Sequence, residues 1–144
     1  MGSNKYGPDI DMWSIGCIFG EMVTGRALFP GVSVHDELLR IFKILGTPIE
    51  TSSDGQFTDG QAAPDIDEFR VWPGVSQLPD WKPDFPEYSR IPLAPLLPKL
   101  NTTGIDLFQK LLAYPPSARI SALHALERKF HNSCIPPPYL VFNV

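Results

Sequence analysis

The longest apolar stretch lies near the start of the chain. Between Asp9 and Thr24, the residues Ile10, Met12, Trp13, Ile15, Cys17, Ile18, Phe19, Met22 and Val23 leave almost no polar face. Pro8 and Asp9 suit a helix start, where a missing N–H does no harm and negative charge favours the dipole. Gly25 suits the left-handed residue just past a helix end. The pattern predicts a helix over 9–24, and a helix apolar on all sides is expected to be the buried centre of a domain larger than itself. A second helix is predicted over 34–45, where Leu38, Ile41, Phe42 and Leu45 repeat at helical spacing and Asp36, Glu37, Arg40 and Lys43 take the wet side. Ser33 can cap it, Asp36 can return the cap from three positions on, and Gly46 with Pro48 ends the run.

Periodicity then fails. Residues 49–68 are small, polar and aperiodic, and read as a mobile loop. From Trp72 to Pro98 prolines recur every few residues, interleaved with Trp72, Leu78, Trp81, Phe85 and Tyr88. This predicts an irregular segment pinned to the surface by aromatics, not a free linker. Helices return over 103–113, with Thr103 and Asp106 as a cap pair, and over 121–130, with Ser121 as cap and Leu123, Leu126 and Phe130 as the apolar face. Pro115 and Pro116 stop the first of these. Residues 132–144 are expected to form an extended tail. The fold class is therefore mainly α, with proline-rich irregular connections.

Composition narrows the picture. At 144 residues, 43% hydrophobic and 19% charged, the chain suits one globular domain. The sixteen prolines explain the short helices and leave few places for a long strand. No apolar run approaches the ~20 residues that span a bilayer, and the first residues lack the apolar core of a signal peptide, so an intracellular protein without membrane attachment is expected. The net charge is −4 with no basic stripe, which argues against nucleic acid as a partner. Cys17, inside an apolar helix, reads as a small hydrophobe, and nothing pairs it with Cys134.

Identity enters at Asp11-Met12-Trp13-Ser14-Ile15-Gly16-Cys17, which resembles the D-x-W-S-x-G opening of the central large-lobe helix of protein kinases. Collinear segments narrow the resemblance to the cyclin-dependent, cdc2-type branch of the Ser/Thr kinases. They include Gly16-Cys17-Ile18-Phe19, Leu28-Phe29-Pro30-Gly31, Leu45-Gly46-Thr47-Pro48, Trp72-Pro73-Gly74-Val75, Pro79-Asp80-Trp81-Lys82-Pro83, Lys110-Leu111-Leu112-Ala113-Tyr114 and Arg119-Ile120-Ser121-Ala122. The resemblance covers nearly all of the chain except 49–68, which look like an insertion, and the tail. It implies that residues 1–144 are a partial kinase domain, the C-terminal part of the large lobe, from a parent that phosphorylates Ser and Thr in proteins of the cell cycle using ATP and Mg.

Several roles follow from the resemblance. Asp11 would be buried and accept hydrogen bonds from the catalytic loop, with capping of its own helix as the alternative. Trp13 would be core packing in either case and, with Asp11, structural support for the missing catalytic loop. Arg119 would pair with a glutamate ending the activation segment; without that partner it would be a solvated surface arginine. Glu21 matches a position that touches substrate arginine in basophilic kinases and is read here as structural. Residues 29–45 correspond to the docking region for a small accessory subunit, with Val32, His35, Leu38 and Arg40 as contacts, although Val32 and His35 depart from the usual acidic and apolar residues. Cyclin would be a partner only of the full-length parent.

The motifs that perform phosphoryl transfer are not in the sequence. A Gly-rich loop, V-A-I-K, H-R-D-x-x-x-x-N and D-F-G are all absent, as is any Gly-x-Gly. They are expected upstream, so the chain is expected to hold no catalytic residue and no ATP or metal ligand of its own, and it reads as part of a kinase, as a binding module that competes for kinase partners through 29–48, or as a truncated relic without activity. Further departures are Pro115-Pro116 where Asp-Pro is usual, and Arg128-Lys129 where His-Pro is usual. Minor motifs carry little: Asn101-Thr102-Thr103 is a glycosylation pattern without a secretory signal, His131 and Cys134 lack a second ligand pair, Asp54 to Gly60 lacks calcium-loop spacing, and Asp65, Asp67 and Glu68 read as a solvated acidic face. Exposed apolar surface on the first helix predicts a poorly cooperative, aggregation-prone chain.

Overall fold

The computed structural model describes residues 7–50 and 67–127. Most of the predicted 49–68 insertion loop, the last residues of the predicted 121–130 helix, the predicted tail, His131 and Cys134 lie outside them. The described residues are mainly helical, with a single parallel bridge between Ile49 and Val71 and no strand.

Helix α1 spans Pro8–Thr24, with Pro8 in its first turn. Gly7 stands at the N-cap without a side-chain bond, so neither Asp9 nor Asp11 caps the helix. At the other end Gly25 takes φ 73° and its N–H closes onto the Glu21 carbonyl. As expected of this chain, the first helix leaves apolar surface exposed: Met12, Gly16 and Gly20 are buried on one face, while Ile15, Ile18 and Met22 are 48%, 54% and 70% exposed on the other. The buried face meets α4, Thr102–Leu111. Two glycines let the helices approach: a Cβ on Gly16 would stand 2.8 Å from Leu112 and 2.9 Å from Leu111, and one on Gly20 would stand 2.9 Å from Leu28 and from Phe108.

Helix α2, Val34–Leu45, buries Leu38, Ile41, Phe42 and Leu45 as its spacing predicts. Its cap differs in one detail. Ser33 Oγ accepts from the Asp36 N–H, but the Asp36 carboxylate returns to the Val32 N–H at 3.0 Å, one residue further out than the reciprocal cap requires. Phe42, fully buried, is ringed by Phe85, Tyr114 and Trp81 at centroid distances of 5.2, 6.2 and 6.5 Å. These aromatics hold the proline-rich segment to the core. That segment contains only a 3-10 turn at Val75–Gln77 and the short α3, Leu93–Leu96.

Two further expectations are corrected. Asn101, not Thr103, caps α4, its Oδ1 accepting from the Gly104 N–H, while Asp106 pairs with Lys110 within the helix. Helix α5, Ala122–Glu127, is capped by Ser121 as expected, yet Leu123 and Leu126 are 65% and 61% exposed and only Ala125 reaches the core.

Candidate functional site

A cleft of about 220 Å³ opens between the start of α1, the inner face of α2, the Trp72 segment and the residues after α4. Its walls are apolar and aromatic. Trp13 stacks on Tyr114 at 6.2 Å, Tyr114 stacks on Trp72 at 6.2 Å, and Leu38 and Ile41 line the opposite side.

Arg119 supplies the cleft's charge. Its side chain is 7% exposed, and its guanidinium donates to three carbonyls: Asp9 at 2.6 Å, Ala113 at 3.0 Å and Tyr114 at 3.0 Å. The Asp9 carboxylate stands 3.9 Å away, and the guanidinium lies over the Trp13 ring at 5.1 Å. Burial draws the Arg119 pKa down, and the Asp9 charge opposes that pull. The expected solvated or unpartnered arginine is thus corrected, because three backbone acceptors and a ring face compensate its desolvation. The planar fork reaches carbonyls on both α1 and the post-α4 segment, which a lysine ammonium cannot do.

Beside the cleft, the turn after α2 is a hydrogen-bonded knot that spacing alone did not reveal. Gly46 has φ 82° and its carbonyl accepts from the buried Tyr114 hydroxyl at 2.6 Å. Thr47 Oγ1 donates to the Pro86 carbonyl at 2.7 Å and accepts from the Tyr88 N–H at 2.9 Å. Arg70 donates twice to the Thr47 carbonyl, at 3.0 and 2.7 Å. Glu50 accepts from the N–H groups of Gly74 and Ser76 at 2.6 and 2.8 Å. Although burial favours the protonated form of Glu50, those donors outweigh it and hold its pKa below the usual carboxylate range. Asp67, read from sequence as a solvated acid, instead pairs with Arg90 at 2.7 Å.

None of these groups is set up for chemistry. Burial raises the Tyr114 phenol far above neutrality, and burial followed by Glu21 and Glu37 pushes the Cys17 thiol up to about 11, so neither is an acid, base or nucleophile at physiological pH. No group of three metal-ligating side chains occurs among the described residues, and the one guanidinium in the cleft is already committed to carbonyls. Mg–ATP does not fit such a lining.

A sequence model of the protein kinase domain matches residues 1–131. The chain belongs to the protein kinase family.

Within this kinase chain the sequence-predicted residues part company. Trp13 and Arg119 meet in the cleft. Asp11 is exposed in the first turn of α1. Glu21 accepts from the Leu28 N–H at 3.2 Å, a local structural bond. Of the four docking candidates, Leu38 is a core residue and faces the cleft, because its place in the helical repeat turns it inward. The other three are surface residues: Val32 is 91% exposed, His35 stacks on Phe85 at 5.4 Å, and Arg40 pairs with Asp36. Sequence reading missed the roles of Thr47, Glu50 and Arg70 in this kinase. Thr47 stood inside a recognised motif, whereas Arg70 carried no signal. No helix among the described residues is long and apolar enough to cross a membrane.

Proposed function

We propose that the chain is the helical large-lobe part of a cyclin-dependent-type Ser/Thr kinase, and that the 144 residues alone do not transfer phosphate. The parent would move the γ-phosphoryl group of ATP to Ser or Thr followed by Pro, in the cytoplasm or nucleus, with cyclin contacting only the full-length protein. One observation carries the reading. Leu45-Gly46-Thr47-Pro48, Trp72-Pro73-Gly74-Val75 and Phe85-Pro86, segments through which the chain resembles that branch, converge on the Thr47–Glu50 knot. Residues scattered along the sequence thus serve one structural purpose, which supports a real subtype relationship rather than chance matches.

Phosphoryl transfer is positioning plus electrostatics, and the sequence contains none of the groups that supply either. The purified 144-residue chain is expected to show no binding of an ATP analogue and no transfer of labelled phosphate to Ser-Pro or Thr-Pro peptides. Transfer above background by the pure chain would overturn the inactivity. In a longer product with the upstream motifs, a peptide library without preference for Pro after the target residue would overturn the subtype. In that product Asp11 would support the catalytic loop, and Arg119 would add the activation-segment glutamate to its present acceptors.

A second reading, a non-catalytic module that competes for kinase partners, draws on the exposed Val32 and His35 and the half-buried Arg40 beside the cap of α2. Binding of a small accessory subunit to the chain, lost in Val32→Asp with helicity unchanged, would favour it. Absence of binding by the native chain would remove it.

A further inference from the structure

The match to the kinase family ends at residue 131, and the last described helix, α5, ends at Glu127 with no residue buried. Five residues beyond the match begins Pro136-Pro137-Pro138-Tyr139, flanked by Ile135 and Leu140. The kinase domain gives this motif no task. Elsewhere the chain spends its proline and aromatic residues on its own core: Trp81 and Phe85 pack on Phe42, and Thr47 takes the N–H of Tyr88. The later motif follows an exposed helix instead. Residues 128–135 separate it from Glu127 and can span about 30 Å, against a radius of gyration of about 9 Å for a module of roughly forty residues. A partner of that size therefore has room beside the kinase domain.

Consecutive prolines enter the polyproline II conformation at little further entropic cost, because each ring already fixes φ. Partners that read such a segment present a groove lined by aromatic rings, on which the proline rings pack. Spacing decides between kinds of groove. A P-x-x-P ligand needs prolines three positions apart, and no pair in residues 128–144 is so placed. Here Pro136 and Pro137 are followed, one residue further on, by Tyr139. That order suits a groove with a slot for the prolines and a neighbouring pocket for a phenol, whose ring is buried while its hydroxyl stays at the wet rim. We infer that Pro136–Tyr139 docks into the aromatic-lined groove of a WW module on a partner protein. The docking is independent of the kinase subtype and of phosphoryl transfer by the parent.

Titration of the 144-residue chain into a fluorescently labelled WW domain that takes Pro-Pro-x-Tyr peptides, followed by anisotropy, tests this. Saturable one-to-one binding is expected. Tyr139→Ala and Pro137→Ala should each raise Kd by at least about tenfold. Urea unfolding of the chain should not change with either, since both positions lie beyond the matched kinase domain. A synthetic peptide of residues 132–144 should bind as the whole chain does, and an SH3 domain should bind neither. Absence of saturable binding by the chain overturns the inference, as does binding that survives Tyr139→Ala or is equalled by the SH3 domain. Binding by the peptide but not by the chain overturns it too, for the chain would then hold the motif against its own surface.

Discussion

The Thr47 hydroxyl is buried, donates to a carbonyl 39 residues along the chain, and accepts from an N–H 41 residues along it. Thr47→Val keeps the shape and strands both partners. A loss of about 1–3 kcal/mol is therefore expected in urea unfolding, with Thr47→Ser much milder. Arg119 presents the same problem with three acceptors. Arg119→Met should cost about 2–4 kcal/mol by the same measure, and Arg119→Lys should recover only part of it, since an ammonium cannot span the three carbonyls. Glu50 adds a pH dependence. Its folded pKa is depressed, so its stabilisation is present above the unfolded value and is lost as pH falls through the folded one. The stability gap between the native chain and Glu50→Gln should be open at neutral pH and should close in acid, below about 4.3. A gap that widens on acidification would contradict the Gly74 and Ser76 contacts.

Among the elements, α1 and α4 are held close by glycine. Gly16→Ala gains up to about 1 kcal/mol of helix propensity but drives a methyl into Leu111 and Leu112. Overpacking should win, for a net loss of about 1–2 kcal/mol in thermal unfolding. Gly25→Ala has open space around it and tests only the cost of positive φ. Periodicity placed α1, α2 and α4 to within about two residues, because each has a long apolar repeat that tertiary packing follows. It misjudged α5, where Leu123 and Leu126 follow helical spacing but have no surface to cover them. For α1 it foresaw exposed apolar surface without saying that Ile15, Ile18 and Met22 would carry it: an apolar list reveals how much surface asks to be covered, not what lies beside it. The candidate site was half legible. Trp13 and Arg119 stood in recognisable motifs, but Arg119's carbonyl acceptors are backbone atoms from two distant segments, and no residue pattern encodes them. Leu38 belongs to the inward repeat that the helical pattern shows, and only the resemblance placed it among the docking contacts.

For the whole molecule, protection should follow the core rather than helix length. Hydrogen exchange is expected to be slowest in α2 and α4, around Phe42 and Phe108, both fully buried, and fastest in α5, none of whose residues is buried. Equal protection of α5 and α4 would mean that α5 is covered in solution. The knot after α2 has a practical consequence as well. The Ile49–Val71 bridge, Glu50 on Gly74 and Ser76, and Asp67 on Arg90 clamp the chain on both sides of residues 51–66. With its two ends already fastened, the number of residues between them can change at a cost of only about 0.6 kcal/mol per doubling. An affinity tag or a fluorescent reporter spliced in between the two fastened ends is therefore expected to leave the bridge and the core in place, and urea unfolding of the tagged chain checks this.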